Sequence, residues 1–178
     1  IGVPDSATAA AVGYSRESGI PFSEGLVKNR YVGRTFIEPD QRVRDLGVKL
    51  KFNTLPAVLS GKRVIIVDDS IVRGTTTPHV VRLVQKAGAT EVHLRVCAPP
   101  IRHPCHLGVD MASYGELIAA AKNVEEIREF VGSDSLGYLS VEGLIKAVGG
   151  GQDTHCLGCF TGNHPIPVQL EMSKLALE

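Results

Sequence analysis

One aliphatic run that ends on two adjacent aspartates constrains the fold more than any other stretch. Residues 63–67 have the sequence RVIIV, and Asp68, Asp69 and the loop SIVRGTTT follow. An unbroken aliphatic run is typical of a strand buried on both faces of a parallel sheet. A helix is predicted just after the loop, over residues 78–87, with Gly88 ending it. Strand, loop and helix in this order predict one unit of an α/β fold.

The rest of the chain continues this alternation of strands and helices. Further helices are predicted over residues 6–18, 123–131 and 140–148, the last with Ser140 as N-cap. Further strands are predicted over residues 20–28, 48–52, 91–98 and 136–139, and a long loop over 29–47. The pattern predicts an open, mostly parallel sheet flanked by helices, in a domain of residues 1–148. Glycines 149–151 then lead into a tail, residues 149–178. Ile1, Gly2 and Val3 resemble the end of a strand, so we expect an upstream segment.

Composition narrows the classes of partner. The 178 residues carry 19 Lys and Arg against 19 Asp and Glu, so the formal net charge is zero. This balance gives no electrostatic reason to expect nucleic acid or an acidic membrane surface as a partner. No apolar run reaches the roughly 18 residues that a membrane span needs, so no span is predicted.

The acidic pair and its loop indicate a site for a sugar phosphate. Ligands of open α/β sheets bind beyond the carboxyl ends of the strands, where Asp68 and Asp69 fall. Two adjacent carboxylates repel each other, and ribose hydroxyls or Mg²⁺ would relieve that repulsion. The loop offers backbone N–H groups, hydroxyls and a helix N-terminus to a phosphate, and Gly74 permits a tight turn. The alternative is a capped helix start with two solvated aspartates. The loop is not a Walker A motif.

Basic residues gather in the long loop and indicate anion binding. They are Lys28, Arg30, Arg34, Arg42 and Arg44. Fixed cations would stabilise charge that builds on a leaving pyrophosphate, and Tyr31 and Phe36 could cover the site. The alternative is a solvated surface loop. Ser6 has two interpretations as well, a helix cap or a contact to metal-bound pyrophosphate.

The four cysteines fall into two groups. Cys97 lies in an apolar predicted strand and is expected in the core. Cys156 and Cys159 form a CxxC motif in a polar, Gly-rich tail, where metal or redox chemistry is expected.

Several motifs carry a resemblance to a known family. VIIVDDSIVRGTT resembles the phosphoribosylpyrophosphate (PRPP) signature of type I phosphoribosyltransferases. KNRYVGRTFIEPDQRVRDLGVKLKFN, GVPDSATAAAVGY, APPIRHPC, YLSVEGL and CLGCFTG are similar to stretches of the glutamine PRPP amidotransferases, over nearly the whole chain. The resemblance implies the type I phosphoribosyltransferase fold and Mg²⁺–PRPP as substrate.

The resemblance also implies roles for individual residues. Asp68 and Asp69 would hold the ribose, and these two with Ser6 would contact Mg²⁺. The implied 5′-phosphate loop is Ser70, Ile71, Val72, Arg73, Gly74, Thr75 and Thr76. The implied pyrophosphate and flexible-loop residues are Asp5, Ser6, Lys28, Asn29, Arg30, Tyr31, Gly33 and Arg34. Ile37 matches a position that lines the family's ammonia channel.

One branch of this family holds a [4Fe–4S] cluster. Cys105 of the HPC stretch, with Cys156 and Cys159, matches three of its ligands, and the fourth is expected upstream of this chain. Four thiolates are the norm for such a cluster. Zinc bound by the cysteines with His106 or His155 is the alternative.

By resemblance, the activity is amidophosphoribosyltransferase. Ammonia from a glutaminase domain, absent from this sequence, would displace pyrophosphate from PRPP in the first committed step of purine synthesis. Feedback inhibition by purine nucleotides, a homo-oligomer and a cytoplasmic location are implied. The rivals are a nucleobase salvage phosphoribosyltransferase and a PRPP-binding regulator without catalysis.

Overall fold

The computed structural model describes residues 1–29, 31, 51–111, 113–150 and 154–166. The strands are β1 (Leu26–Lys28), β2 (Phe52–Thr54), β3 (Arg63–Asp68), β4 (Glu91–Val96) and β5 (Ser135–Tyr138). The α-helices are α1 (Thr8–Ser18), α2 (Pro56–Leu59), α3 (Thr77–Lys86), α4 (Ile118–Ala121), α5 (Val124–Val131), α6 (Val141–Val148) and α7 (Gly158–Thr161). A single 3₁₀ turn over Tyr114–Glu116 precedes α4 in this described part.

The main sheet is parallel. Its strand order is β3-β4-β5, and Val64 pairs with Val92 while Leu94 pairs with Leu136. On the other side of β3, Gly2 forms a parallel bridge to Val67. The strand predicted over residues 63–67 is therefore central, as expected. Strands β1 and β2 form a separate antiparallel pair.

The core lies between the parallel sheet and its helices. In β4, Val92, Leu94 and Val96 are buried, whereas His93 and Arg95, which alternate with them, are half-exposed. Helix α3 buries its apolar face through valines 80, 81 and 84, spaced so that they share one side of the helix. The predicted α/β architecture, a parallel sheet flanked by helices, is confirmed.

Local sequence fixes several helix ends. Asn123 and Glu126 form a capping box at the start of α5, which ends at Gly132 in the left-handed conformation. The predicted N-cap Ser140 accepts a hydrogen bond from the N–H of Gly143. These ends match the prediction because caps are specified by neighbouring residues.

Other boundaries differ from the prediction. Helix α1 begins at Thr8 with Ala7 as N-cap and no side-chain cap, so Ser6 does not cap it. The strand expected over residues 20–28 is reduced to its last three residues, since Pro21 and Gly25 disfavour a regular strand. Strand β2 begins at Phe52, where the predicted strand ends, and residues 48–50 and 32–47 lie outside the described part. Among the described helices, none has the length and apolar character needed to cross a membrane.

Candidate functional site

The carboxyl end of β3 lies between two neighbouring segments. The Val3 N–H donates to the Val67 carbonyl at 2.9 Å, which places the Pro4–Asp5 turn on one side of the strand end. The Cys97 N–H donates to the Asp68 carbonyl at 2.9 Å from the other side. The acidic pair therefore lies where ligands of open α/β sheets bind.

Asp68 and Asp69 differ in environment. Asp68 is 9% exposed, and its Oδ1 accepts the Asp69 N–H at 2.9 Å. Burial raises the pKa of Asp68 to about 7, and the charge of Asp69 adds to the rise. Asp69 is exposed, and its Oδ1 accepts the Ser70 hydroxyl at 3.1 Å. The interpretation of two solvated aspartates thus fails for Asp68, whose buried carboxylate calls for a cation or hydroxyl donors.

The loop after the pair bends toward a helix start. Gly74 is buried and has φ +69°, a left-handed conformation that only glycine adopts readily. Helix α3 follows at Thr77, and its N-cap Thr76 makes no side-chain cap hydrogen bond. The N-terminus of a ten-residue helix therefore faces the loop without a side-chain cap, which suits an anion.

Only some of the residues predicted to contact pyrophosphate lie in the part of the chain that the structure describes. Lys28 Nζ forms an ion pair with Asp5 Oδ2 at 3.0 Å, beside a cleft of about 290 Å³. Ser6 is exposed next to this pair. Tyr31 is fully exposed, and its N–H donates to Asn29 Oδ1 at 3.0 Å. The predicted residues outside the described part are Arg30, Gly33 and Arg34, with Phe36, Ile37, Arg42 and Arg44 of the same loop.

Two of the three cysteines in the HPC and CxxC motifs pack in the same place, whereas Cys156 is exposed. Cys105 and Cys159 are half-buried and pack against a small core of Ile101, Met111 and Leu117. Burial raises the pKa of the Cys159 thiol, and the charge of Cys105 raises it further, with a smaller effect of Cys156. In the described part, no group of three or more His, Cys, Asp or Glu residues is close enough to hold a metal ion.

The histidines considered for zinc have other neighbours. His155 Nδ1 lies 2.8 Å from the Thr154 hydroxyl, and His106 packs edge-on against His164 with ring centroids 4.9 Å apart. Cys97 is half-buried rather than a full core residue. Burial raises the pKa of its thiol, and Asp68 and Asp69 add to the rise.

Several residues around the acidic pair were not predicted from the sequence. The charge of Lys51 acts on Asp68 and opposes the rise in its pKa. Glu116 and Ile118 contact the loop after the pair from a segment some forty residues away, Glu116 through Arg73. Only the alternation of basic and apolar residues before Phe52 could have indicated Lys51, and no local pattern indicated the other two.

A larger cavity lies away from this site. It has a volume of about 370 Å³ and is lined mostly by apolar side chains of α1, α2 and β3, Tyr14 and Val58 among them. None of the predicted site residues lines it, so the chemistry of the acidic pair does not involve this cavity.

Comparisons with known proteins show the family to which this chain is similar. The model of the phosphoribosyl transferase domain family matches residues 1–130. Amidophosphoribosyltransferase of Methanocaldococcus jannaschii is 56% identical over 169 residues, which are 95% of this chain and 36% of that protein. The enzyme of Methanothermobacter thermautotrophicus is 53% identical over 97% of this chain and 36% of that protein. Amidophosphoribosyltransferase 1, chloroplastic, of Arabidopsis thaliana is 53% identical over 98% of this chain and 31% of that protein.

Solved structures give the same result. Glutamine PRPP amidotransferase from B. subtilis, complexed with ADP and GMP, superposes with a TM-score of 0.84 at 49% identity, over 99% of this chain and 40% of that one. A structure described as the allosteric regulatory enzyme of purine biosynthesis has a TM-score of 0.81 at 52% identity, over 92% of this chain and 36% of that one. The chain thus spans about a third of the length of the relatives it matches. Both the fold and the sequence match, and the chain belongs to the phosphoribosyl transferase domain family.

Proposed function

We propose that this chain is the phosphoribosyltransferase part of a glutamine PRPP amidotransferase. The observation that supports it most directly is the buried Asp68 beside Asp69, at a strand end followed by a glycine-turned loop and a helix N-terminus. Relatives more than half identical over nearly the whole chain carry the name amidophosphoribosyltransferase. Residues 1–148 would be the catalytic domain and residues 149–178 its cysteine-bearing tail.

The acidic pair is proposed to bind the ribose of PRPP. Ribose hydroxyls donate hydrogen bonds, and carboxylates only accept them, so the two groups are complementary. Ser6, Asp68 and Asp69 would also face Mg²⁺, since their oxygens are the ligands that this hard cation prefers. Bound Mg²⁺ would neutralise charge on the pyrophosphate group. The raised pKa of Asp68 fits this role, because an unrelieved buried carboxylate is what a cation or hydroxyl donor stabilises.

The two phosphate ends of PRPP are assigned to different segments. Residues Ser70 to Thr76 and the start of α3 would hold the 5′-phosphate through backbone N–H groups and hydroxyls. Asp5, Ser6 and Lys28 line or adjoin the cleft proposed for pyrophosphate. The ion pair between Lys28 and Asp5 keeps the lysine at this cleft, where its charge would act on the leaving group. The remaining flexible-loop residues, Asn29, Arg30, Tyr31, Gly33 and Arg34, stay part of the proposal.

The proposed reaction needs no covalent intermediate with the protein. The ammonia lone pair forms the C1–N bond while the C1–O bond to pyrophosphate breaks and its electrons leave with the pyrophosphate. The nitrogen then loses one proton to solvent, which gives 5-phosphoribosylamine. The protein's contribution is to hold the ribose and both phosphates in line and to stabilise charge on the departing group.

We also propose that the cysteine region holds an iron–sulfur cluster. The Cys159 thiol lies near enough to Cys105 and Cys156 for a thiolate at either one to raise its pKa, and bound iron would stabilise all three as thiolates. The three side chains do not form a metal-holding group in the described residues, so the proposal requires them to move closer together when iron binds. His164 Nδ1 is buried beside the CxxC motif and has no hydrogen-bond partner in the described part of the chain, which also fits a group that is bound there. Anaerobic iron and sulfide analysis of the longer protein tests this; zinc without acid-labile sulfide would contradict it.

Partners and location follow from the same proposal. A glutaminase domain would supply the ammonia, and purine nucleotides would bind as inhibitors, in line with the ADP and GMP named for the B. subtilis relative. A homo-oligomer in the cytoplasm is proposed, although two plant relatives are named as chloroplastic. No nucleic acid or membrane is proposed as a partner.

An ammonia-dependent assay tests the function. The purified protein, with Mg²⁺, PRPP and ammonium chloride, should release pyrophosphate, and the rate should rise with pH as more ammonia is unprotonated. Nucleobases should not replace ammonia. Release that depends on a nucleobase would indicate salvage, and PRPP binding without release under any condition would favour a regulator.

A further inference from the structure

A short segment on another part of the chain lies against the proposed phosphate loop. It comprises residues 116–118, the end of the 3₁₀ turn and the first residue of α4. None of these residues belongs to the acidic pair, the phosphate loop or the pyrophosphate cleft. Each of them nevertheless contacts the loop or the small core behind it.

The backbone of the loop is held at Val72. The Ile118 N–H donates to the Val72 carbonyl at 3.0 Å. The Val72 side chain packs against the small core to which the buried Leu117 belongs. A backbone hydrogen bond and an apolar contact from residues 117 and 118 therefore both hold Val72 in place.

The next two loop residues are held by side chains. Arg73 Nη2 forms an ion pair with Glu116 Oε2 at 2.9 Å, although both side chains are more than one third exposed. Gly74 lies directly against Ile118, and a Cβ at this glycine would come 2.7 Å from Ile118 Cδ1. The left-handed turn at Gly74 is thus packed most tightly by Ile118, and the same Cβ would lie 3.3 Å from Phe130 Cε1.

We propose that Glu116 and Ile118 are positioning residues for 5′-phosphate recognition. Ile118 fixes the left-handed turn at Gly74, and Glu116 fixes the direction of the Arg73 guanidinium. Backbone N–H groups bind a phosphate well only when they converge on it before binding, so a loop held in shape binds more tightly than a loose one. This inference rests on the proposed function, since it assigns the loop to the 5′-phosphate.

Ile118 and Glu116 differ in solvent exposure, and we therefore expect them to contribute unequally to holding the loop. Ile118 is 9% exposed and makes the closest approach to the turn, so its truncation removes packing at that point. The ion pair of Glu116 is solvated, and solvated pairs contribute little. We therefore expect a large effect from Ile118 and a small one from Glu116.

The test uses two probes that occupy different ends of the PRPP site. Ribose 5-phosphate would use the acidic pair and the loop, whereas Mg²⁺–pyrophosphate would use the cleft at Asp5 and Lys28. Calorimetry should show that Ile118→Ala weakens ribose 5-phosphate binding roughly tenfold, and that Glu116→Gln weakens it by about twofold. Affinity for Mg²⁺–pyrophosphate should stay the same in both variants.

Ile127 of α5 offers a matched control. It is fully buried in the main core, so Ile127→Ala removes the same atoms at a greater cost in stability. Ribose 5-phosphate binding should not change in this control. Should either alanine variant fail to fold, Ile118→Val and Ile127→Val make the same comparison with a smaller loss of volume.

The outcomes distinguish a failure of the proposed function from a failure of the positioning role. Wild-type protein that binds neither probe overturns the proposed function itself. Wild-type protein that binds both probes, with Ile118→Ala unchanged toward ribose 5-phosphate, overturns the positioning role. Equal weakening of both probes, or equal weakening by Ile127→Ala, means that the effect is general destabilisation and also overturns it.

Discussion

Replacing Asp68 by asparagine should stabilise the protein while weakening its ligand binding. Asp68 is 9% exposed, and its nearest charge of like sign is that of the adjacent Asp69. Asparagine keeps the size and can still accept the Asp69 N–H through its amide oxygen. It removes the charge that burial disfavours, so the free energy of unfolding should rise at neutral and alkaline pH.

The magnitude follows from the pKa. Burial and Asp69 raise the pKa of Asp68 from its ordinary 3.8 to about 7. One pKa unit is worth about 1.4 kcal/mol, so the full cost of ionising this carboxyl in the folded state is roughly 4 kcal/mol. The opposing charge of Lys51 is already contained in that pKa, whereas relaxation of the solvent-exposed Asp69 reduces the cost further. We expect Asp68→Asn to gain about 2 kcal/mol at pH 8.

The sign of the pH dependence follows from the same shift. Between pH 4 and pH 7 the folded state binds a proton at Asp68 that the unfolded state has released, so stability falls as the pH rises through this window. Below pH 4 both states are protonated, and the advantage of Asp68→Asn should vanish. Glu91 and Glu125 act in the opposite direction at lower pH, because hydrogen bonds from Arg63 and Arg128 respectively lower the pKa of each.

Urea unfolding without Mg²⁺ or PRPP, at several pH values from 4 to 8, measures the effect. The difference between variant and wild type isolates Asp68, since all other carboxyl groups are common to both. Asp69→Asn serves as the control, because it removes only the neighbouring charge and should give a smaller slope. A constant difference between pH 4 and pH 8 would refute the reasoning.

The same variant should bind Mg²⁺–PRPP more weakly. A hydrogen bond to a charged group is worth about 1.5–3 kcal/mol, so the affinity should fall about tenfold or more. Asp69→Asn should show a similar loss. Unchanged affinity for Mg²⁺–PRPP in both variants would contradict the assignment of Asp68 and Asp69 to ribose binding.

Three further changes test the geometry elsewhere. Gly74→Ala should cost about 1–3 kcal/mol of stability and weaken ribose 5-phosphate binding, because alanine at φ +69° is strained and its Cβ meets Ile118; unfolding and calorimetry measure both. Asn123→Ala should cost about 1 kcal/mol in urea unfolding, through loss of the capping box, without changing ligand affinity. Gly158→Ala should reduce the iron content of the longer protein, since its Cβ would overlap the His164 ring, 2.6 Å from Cε1; full iron loading would contradict this.

Local signals were sufficient for much of the fold. The aliphatic run over residues 63–67 predicted a central parallel strand, and Asn123 and Ser140 indicated where α5 and α6 begin. Each of these features depends on residues close in sequence. The predicted strand over residues 20–28 is wrong over residues 20–25, where Pro21 and Gly25 also disfavour a regular strand. Only its last three residues find a partner, β2, and that pairing depends on a distant segment.

The residues of the candidate site could be predicted from the sequence, but the distant residues that contact them could not. The acidic pair, the glycine turn and the helix start follow one another along the chain, so a single motif revealed them. The burial of Asp68, the approach of Lys51 and the contacts of Ile118 depend on tertiary packing. Such contacts cannot be predicted from segments considered one at a time, which is why both aspartates could be interpreted as solvated.

The small core of Ile101, Met111 and Leu117 joins the two chemically distinct regions of this chain. Val72 of the phosphate loop packs against it, as do Cys105 and Cys159. The Cys159 carbonyl accepts the N–H groups of Arg102 and His103, so the tail is also tied to the HPC segment through backbone hydrogen bonds. Because protein interiors are close-packed, we expect a shift of the cysteines to displace Leu117, whose neighbours Glu116 and Ile118 contact the loop. A chemical change at the thiols would therefore reach the loop proposed for the 5′-phosphate, although the residues concerned are far apart in sequence.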